Sequence, residues 1–268
     1  MGDMNLQHRI VTWNCNSRAA VWDYLFDLHP YVALLQEVGP IPERLNRVYD
    51  IRLATPMTEH GAPQRFKTAL LVRGIIAEPL VLVGTCDWVN SGLEYFAGNV
   101  VAYSVTLTDG IQFNVVSVYS PAWPVSTSQS CEADVSSVRL PHERGVWVAD
   151  LLRAALKHQL PDSHERWVIG GDFNSSPTFD DGPHGDRGNR EYLKEMDSMG
   201  LVECLSHSQG RLTPTFRNPK GGRVVHQIDH LFVTSEMAAH LVRCETGSPD
   251  QVFGLLSDHL PIIADFER

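Results

Sequence analysis

Polar residues cluster at the ends of short apolar runs along the chain, and their types are those from which hydrolytic sites are built. Four clusters contain a carboxylate next to an apolar run, and these residues are Glu37, Asp172, Asp229 and Asp258. Buried anions repel one another unless a cation lies among them. Oxygen ligands without paired cysteines suit a hard cation such as Mg²⁺ or Mn²⁺, which retains waters and binds substrate phosphates.

A histidine follows the last of these carboxylates, because His259 comes directly after Asp258. Its imidazole can donate or accept a proton near neutral pH. A second carboxylate would hold the ring in one tautomer, and Asp229 is the candidate for that position.

Two pairs of polar residues have an i, i+2 spacing, Asn14 with Asn16 and Asp172 with Asn174. On an extended chain, residues two apart face the same way. A carboxylate that orients a water molecule could therefore lie beside an amide that binds a phosphate oxygen.

Each cluster alone also has an ordinary explanation. An aspartate at a strand end commonly caps a turn, and Tyr119 alone could be a packed aromatic with a bonded hydroxyl. Gly170-Gly171 lacks the Lys and Ser/Thr of a P-loop, so we reject a phosphate cradle of that type. The prediction of a site therefore rests on the clusters occurring together.

Short apolar runs predict the strands that would position these clusters, at residues 10–13, 31–35, 69–72, 80–83, 100–108, 111–119, 167–169, 228–234 and 261–266. Asp109-Gly110 predicts a two-residue hairpin between the fifth and sixth of these. Helical spacing predicts helices at 19–28, 143–160 and 190–199. Strands outnumber helices without strict alternation, so we expect mostly antiparallel sheets covered by helices. Turn-rich stretches at 120–141, 175–189 and 210–224 border the polar clusters, where long loops are usually functional.

Composition narrows the class of protein. The 268 residues are 43% hydrophobic and 20% charged, which is a globular balance. A net charge of −10 argues against gripping polyanions through overall charge, although a local basic groove remains compatible with it. We expect no membrane span, since no apolar stretch is long enough, and no signal peptide within residues 1–16. Five dispersed cysteines, Cys15, Cys86, Cys131, Cys204 and Cys244, predict reduced thiols in a cytoplasmic protein.

Taken together, the clusters resemble the endonuclease/exonuclease/phosphatase superfamily, which has the DNase I-like fold. The matching segments occur in the family order between residues 12 and 266, and they are Trp13-Asn14, Gln36-Glu37, Gly171-Asp172-Phe173-Asn174, Ile228-Asp229-His230 and Ser257-Asp258-His259. The resemblance implies a single domain over residues 1–268, built as a four-layer α/β sandwich of two packed β-sheets with helices outside. It also implies a divalent-metal phosphoesterase, with Mg²⁺ or Mn²⁺ as the cofactor.

The resemblance also implies roles for individual residues. Glu37 would be the main metal ligand, with Asp258 and Asn14 near it. Asn16 stands where relatives often place an acidic or amide residue near the metal, and we expect it to contact substrate.

The remaining roles concern the chemistry at the phosphate. Asp172 would orient or deprotonate the attacking water, or protonate the leaving group, and Asn174 would hold the phosphate. His259 would contact the phosphate as a general acid/base, oriented by Asp229. The phenol of Tyr119 would bind phosphate or stabilise a leaving oxygen.

The segment around Tyr119 is nearest in motif to the exonuclease III and abasic-site endonuclease branch, which has a similar Val-Tyr-x-Pro context. That branch usually continues with Asn or Gln and a Gly, whereas this chain has Ala122-Trp123-Pro124. It also usually has a Trp-Arg pair where this chain has His226-Gln227. These departures argue against assigning abasic-site specificity.

Substrate choice should depend on the three long loops. Aromatic residues there could stack on bases or merely cap the sheet edges, and basic residues could contact phosphates or be solvated surface. The aromatic candidates are Trp123, Phe179 and Phe216, and the basic candidates are Arg187, Arg190, Arg217, Lys220 and Arg223.

Three functions remain open at this point. The first is a Mg²⁺-dependent nuclease acting on DNA or RNA. The second is the same chemistry on a small nucleotide or a lipid or inositol phosphate, which the net charge of −10 favours. The third is a catalytically inactive binding domain, which we disfavour because every expected position carries a chemically competent residue.

Overall fold

The computed structural model describes residues 7–125, 134–160, 165–182, 185–218, 220 and 223–267. Within these residues the chain forms twelve strands, eight helices and two short 3₁₀ turns. The strands are β1 His8–Asn14, β2 Val32–Val38, β3 Asp50–Ala54, β4 Lys67–Val72, β5 Gly74–Pro79, β6 Val100–Leu107, β7 Gln112–Tyr119, β8 Trp167–Asp172, β9 Leu201–Glu203, β10 Asp229–Thr234, β11 Leu241–Thr246 and β12 Ile262–Phe266. The helices are α1 Val21–Leu28, α2 Asp87–Tyr95, α3 Val148–Gln159, α4 Pro177–Asp180, α5 Asn189–Ser198, α6 Cys204–Gln209, α7 Ser235–Ala238 and α8 Pro249–Val252, and the 3₁₀ turns are Glu43–Arg47 and Val135–Ser137.

The strands form two six-stranded sheets, ordered β11-β12-β1-β2-β4-β3 and β5-β6-β7-β8-β10-β9. Each sheet has one parallel pair near its centre, β1 with β2 and β7 with β8. The other neighbouring strands of the described chain run antiparallel. The prediction of two mostly antiparallel sheets is therefore confirmed. The four parallel strands end at the same rim at which β10 and β12 begin.

The packing divides the molecule into four layers. Trp22 and Leu25 of α1 pack on the outer face of the first sheet. Apolar side chains such as Leu34 and Val115 fill the space between the sheets. On the outer face of the second sheet, residues of α2, α3 and α5 join one cluster around Leu151. This is the four-layer α/β sandwich that the family resemblance implies, and that expectation is confirmed.

Strand alternation directs polar side chains into the space between the sheets as β1 and β2 approach the rim. Ile10 packs between the sheets, so Thr12 and Asn14 face the same way at i+2 and i+4. From β2, Gln36 Nε2 donates to Ser117 Oγ of the opposite sheet at 3.1 Å. The apolar interior thus gives way to a polar layer directly below the rim.

The Gly170-Gly171 pair has a packing explanation. A Cβ on Gly171 would lie 1.9 Å from the carbonyl oxygen of Val118 on the neighbouring strand. A Cβ on Gly170 would lie 2.9 Å from Leu231 Cδ1 and 3.2 Å from Thr12 Cβ of the other sheet. Close approach of backbone and sheets therefore requires these glycines.

Several element predictions are confirmed and others are wrong. The hairpin around Asp109-Gly110 is present as β6 and β7. The long helix begins at Val148, five residues later than predicted, because Asp150 Oδ2 accepts the backbone N–H of Trp147 at 2.8 Å and caps the helix there. The predicted strand at 80–83 is wrong: Leu80 N still donates to the Ala102 oxygen, and the chain then leaves the sheet edge.

Several elements were not predicted from the sequence. They are β3, β5, β9, β11, α2 and the short helices α4, α6, α7 and α8. The strands among them are the edge strands of the two sheets, and most of their side chains are exposed or only partly buried.

Two further sequence expectations concern the whole chain. No helix in the described ranges combines the length and the apolar character needed to cross a membrane. Cys15, Cys86, Cys204 and Cys244 are free thiols, and Cys131 lies outside the described residues.

Candidate active site

The candidate site lies at the rim where the two sheets bring their strand ends together. Asn14 ends β1, Tyr119 ends β7 and Asp172 ends β8, while Asp229 begins β10. Asp172 is in register with both Tyr119 and Asp229 on the two flanking strands. Residues that are far apart in sequence therefore become neighbours through the strand order alone.

Asn14 connects the two sheets at this rim. Its Nδ2 donates to Glu37 Oε1 at 3.2 Å and to Asp172 Oδ2 at 3.0 Å. Its Oδ1 accepts the backbone N–H of Asn16 at 3.0 Å. In this orientation the amide nitrogen faces the carboxylates, and a nitrogen that donates cannot bind a cation. The predicted ligand role of Asn14 would require its amide to rotate.

Three side chains at the rim stand on left-handed backbone, which residues other than glycine adopt at a cost. They are Asn16 with φ 45°, Glu37 with φ 48° and Asn174 with φ 49°. Glu37 also lies where the pairing of β2 with β4 shifts register. Such irregularities re-aim side chains, and here the shift accompanies a carboxylate at the edge of the site.

His259 is held between two aspartates. Its Nδ1 lies 3.0 Å from each carboxylate oxygen of Asp229, and its Nε2 lies 4.0 Å from Asp172 Oδ2. Trp13 Nε1 donates to the backbone oxygen of His259 at 2.9 Å, and Ser257 Oγ accepts its backbone N–H at 3.0 Å. The ring is therefore fixed by its side chain and its backbone, with Nε2 directed toward Asp172.

Burial and charge perturb the titration of these groups. Burial would lower the pKa of His259, but the carboxylates of Asp229 and Asp172 raise it to about 10. Burial raises the pKa of Asp172 against the opposing effect of His259. Burial also raises the pKa of Glu37, partly offset by the Asn14 amide, and Asp258 raises it further. The site thus concentrates negative charge that one imidazolium does not fully compensate.

Asn174 and Asn16 each have a defined position at the rim. Asn174 Nδ2 donates to the Ser120 oxygen at 2.8 Å, and its backbone N–H donates to Asp172 Oδ1 at 3.0 Å. Asn16 Nδ2 donates to Asp258 Oδ1 at 2.8 Å. The loop after β8 and the segment after β1 are therefore both anchored to site carboxylates.

Tyr119 lies close to the carboxylates. Burial raises the pKa of its phenol, and Glu37 and Asp172 raise it further, so the phenol keeps its proton. Its ring packs edge-on against Phe66 at 5.2 Å between centroids. A protonated hydroxyl beside two carboxylates is a hydrogen-bond donor rather than a base.

The donor set fits a hard divalent cation. Within the described residues, Asp172, Asp229 and His259 offer ligand atoms within 4.8 Å of one another. Both oxygens of Asp229 already lie against His259 Nδ1, so this group is better explained as an oriented imidazole. The carboxylates of Glu37 and Asp258 lie outside this group of three residues. A cation bound between them would relieve their mutual repulsion.

The structure brings some of the loop candidates to the site. The Phe216 ring lies 4.8 Å from the His259 ring. Arg217 donates its backbone N–H to the Asp258 oxygen at 2.9 Å, while its guanidinium lies 4.4 Å from the centre of the Phe253 ring.

Other loop candidates lie elsewhere. Trp123 packs against the outer core, and its ring centroid lies 6.0 Å from that of Phe96. Lys220 and Arg223 are exposed. Arg190 lies 3.9 Å from Asp180 and also contacts Asp181.

Sequence reasoning missed three supporting residues. Thr215 Oγ1 accepts the backbone N–H groups of Ile228 and Asp229, both at 3.2 Å. Phe66 packs on Tyr119, and His226 packs against Phe179 at 4.4 Å between ring centroids. Their type and spacing carry no local signal, because each acts through a partner that is distant along the chain.

Comparison with known proteins shows the family of this chain. The profile of the Endonuclease/Exonuclease/phosphatase family matches residues 11–259, which include all of the rim residues described above. The chain belongs to this family. No curated protein sequence gives a significant match to it.

Several solved structures share the fold of this chain. A 3′ phosphatase from Neisseria bound to a product DNA hairpin has a TM-score of 0.68 at 18% identity, covering 97% of this chain and 100% of the other. An AP endonuclease from Archaeoglobus fulgidus has a TM-score of 0.66 at 16% identity, with coverage of 97% and 100%. A 3′-5′ exonuclease from Neisseria meningitidis has a TM-score of 0.65 at 17% identity, with the same coverage. At these identities the likeness establishes the fold.

Proposed function

We propose that this protein is a divalent-metal-dependent phosphodiester hydrolase that acts as a nuclease on DNA or RNA. The observation that carries the proposal is the Asp229–His259–Asp172 arrangement, joined through Asn14 to Glu37. It places an oriented imidazole, a carboxylate with a raised pKa and a further carboxylate at one rim. Phosphodiester hydrolysis requires a positioned water, neutralised charge on the phosphoryl oxygens and a stabilised leaving group, and these side chains can provide for each requirement.

The carboxylates of Glu37 and Asp258 would hold the metal, with Asn14 contributing if its amide rotates. When bound, Mg²⁺ or Mn²⁺ would neutralise charge on the phosphoryl oxygens. The carboxylate oxygens and the raised pKa of Glu37 support this assignment.

The protein's own groups would handle the protons and the phosphate. Asp172 would orient the attacking water and accept its proton as the new P–O bond forms, consistent with its raised pKa. His259, protonated at neutral pH, would face the phosphate as a cation and supply a proton to the leaving oxygen as the old P–O bond breaks. Asn174 and Tyr119 would donate hydrogen bonds to phosphate oxygens.

A small phosphoester is the second candidate substrate, and the charge distribution favours it. The net charge is −10. Two of the loop cations are engaged within the protein, Arg217 over the Phe253 ring and Arg190 with Asp181. Salt dependence separates the two candidates, because counterion release makes polymer binding steeply salt-sensitive and leaves binding of a small substrate much less affected.

We further propose that residues 1–268 form one domain of a cytoplasmic protein. The family match over residues 11–259 and the shared interior of the two sheets support a single domain. The four free cysteines support a reducing compartment.

A cleavage assay tests the proposed function. Labelled duplex, single-stranded, abasic-site and RNA oligonucleotides are incubated with the protein in Mg²⁺, in Mn²⁺ and in EDTA. We expect metal-dependent cleavage that falls at least about a hundredfold in Glu37→Ala and in His259→Ala. Glu78→Ala, an exposed substitution on the edge strand β5, is the matched control and should cleave at the wild-type rate.

The product pattern would distinguish endonuclease from exonuclease action. Absence of cleavage on every polymer would refute the nuclease proposal. Turnover of a small phosphodiester or phosphomonoester would then support the second candidate, and absence of all turnover would support an inactive binding domain.

A further inference from the structure

A second concavity adjoins the candidate site at Asn174. It lies between the segment that leads into α3 and the loop that follows β8, and its volume is about 350 Å³. This is the size of a pocket for a small molecule. Trp147 and Phe179 line its sides, and the buried Asp150 and Tyr192 line it more deeply.

The two aromatic side chains are partly exposed. The Phe179 ring packs against the His226 ring, with an angle of 42° between the ring planes, and His226 Nδ1 lies 2.7 Å from Thr178 Oγ1. Trp147 directly precedes α3 and donates its backbone N–H to Asp150 Oδ2 at 2.8 Å. Aromatic side chains at a pocket wall can stack on a planar ring, and stacking on nucleic acid bases tolerates any base.

Two arginines also line this pocket, Arg144 and Arg187. Both are exposed, and within the described ranges neither guanidinium has a hydrogen-bond or ion-pair partner. Arg153, by contrast, is buried and bonded to Glu195 and the Val138 oxygen. A guanidinium without an internal partner can bind a phosphate through two parallel hydrogen bonds.

The deeper lining includes a pair of carboxyl groups. Asp150 is 1% exposed, and its Oδ1 accepts no hydrogen bond within the described residues, although Arg153 Nη2 lies 3.6 Å away. Glu143 Oε2 accepts the backbone N–H of Leu140 at 3.0 Å. Burial raises the pKa of Glu143 and of Asp150, and the charge of Asp150 raises the pKa of Glu143 further. The deeper lining of this pocket is therefore polar.

We propose that this pocket binds a nucleobase of the substrate strand, next to the phosphate at Asn174. The base would stack against Trp147 and Phe179, and Arg144 and Arg187 would hold a flanking phosphate. The inference rests on the proposed nuclease function for its substrate class, and it narrows that class to strands that carry a base at this position. An abasic sugar would leave both aromatic faces without a partner.

Binding can be measured without turnover. Deoxyadenosine 5′-monophosphate and 2-deoxyribose 5-phosphate, which lacks the base, are titrated calorimetrically into the protein in EDTA. We expect the nucleotide to bind at least about tenfold more tightly, since stacking on one base contributes that much or more. Phe179→Leu and Trp147→Leu should each weaken nucleotide binding about tenfold and leave binding of the sugar phosphate unchanged.

Two further variants control for folding and for phosphate binding. Phe26→Leu makes the same substitution as Phe179→Leu on α1, in the opposite helical layer, and should leave nucleotide binding unchanged. Arg187→Ala changes an exposed side chain that the fold does not require, and should weaken binding of nucleotide and sugar phosphate alike. Thermal melts of each variant establish that it is folded.

The outcomes separate this inference from the proposed function. Equal affinity for the nucleotide and the sugar phosphate, or unchanged nucleotide affinity in both aromatic variants, would overturn the pocket assignment even if the protein cleaves DNA. Nucleotide binding that both aromatic variants weaken would uphold it, even if no polymer is cleaved.

Discussion

Asp229→Asn tests the role of the histidine pair most directly. The substitution preserves side-chain size and removes the charge that faces His259 Nδ1 at 3.0 Å from both oxygens. An amide can present one oxygen or its NH₂ group to the ring, so the imidazole loses its single preferred orientation. We expect kcat to fall between about 10² and 10⁴-fold.

The lower bound follows from the geometry. His259 and Asp229 side chains are 7% and 1% exposed, so water does not replace the lost contact. A hydrogen bond with a charged group contributes about 1.5–3 kcal/mol. Since about 1.4 kcal/mol corresponds to a tenfold change in rate, the upper end of this range, which suits a fully buried contact, accounts for about 10²-fold. Complete loss of general acid catalysis would extend the effect to about 10⁴-fold.

The assay compares initial rates of metal-supported oligonucleotide cleavage at saturating substrate, with thermal melts of the same samples. Asp265→Asn is the matched control. Asp265 is 1% exposed and ion-paired to Arg9 and Arg243, and it lies on β12, roughly 20 Å from His259 along an extended strand. Both variants should lose stability, but only Asp229→Asn should lose turnover.

Two results would refute this reasoning. One is an Asp229→Asn protein whose kcat is within threefold of wild type, which would mean that Asp229 does not orient a catalytic imidazole. The other is an equal loss of kcat in Asp265→Asn, which would trace the effect to general destabilisation of the fold.

Three further predictions concern stability and the rim. In Gly171→Ala the new Cβ would meet the Val118 oxygen at 1.9 Å; we expect a cost above about 4 kcal/mol, measured as a fall in Tm of at least about 8 °C, and an unchanged melt would contradict the close approach. Burial alone would raise the pKa of Asp265, but its two arginine partners lower it. The ion pairs of Asp265 therefore stabilise the fold above 3.8, the ordinary pKa of the carboxyl, and this stabilisation is lost as the pH falls below that value. Melts from pH 7 to pH 2 should therefore show the Asp265→Asn deficit shrinking below about pH 4, and a constant deficit would disprove the linkage. Tyr119→Phe should lower kcat about tenfold or more with little change in Tm, because packing on Phe66 is retained; an unchanged kcat would remove the phenol from the mechanism.

Much of the architecture could be predicted because it depends on local pattern. The hairpin of β6 and β7 follows from the Asp109-Gly110 turn between two apolar runs. The run at 80–83 was misassigned because apolar character alone does not show whether a sheet edge continues. Val81 is 75% exposed, so this run is not buried in a sheet. Edge strands such as β3 and β11 lack a full apolar pattern because most of their side chains are exposed or only partly buried.

The candidate site was predicted residue by residue, but its internal contacts were not. Sequence order placed Glu37, Asp172 and His259 at strand ends, and the strand order then brought them together. The backbone N–H of Asn16 and a bound cation would compete for the side-chain oxygen of Asn14. Because Asn16 binds that oxygen, the amide nitrogen of Asn14 points toward two carboxylates. Such a competition is settled by packing, which the sequence does not display.

The sequence by itself determined which chemistry is available, because residue types set the charge, the proton affinity and the ligand atoms. It also determined the order of the strand ends through local hydrophobic patterning. Only the tertiary structure decided which loop residues reach the site: Phe216 lies against His259, whereas Trp123 packs into the outer core. It also decided that Trp147 and Phe179 share a pocket beside Asn174. The physical reason is that these placements depend on long-range packing between layers, whereas strand-end chemistry depends on neighbours along the chain.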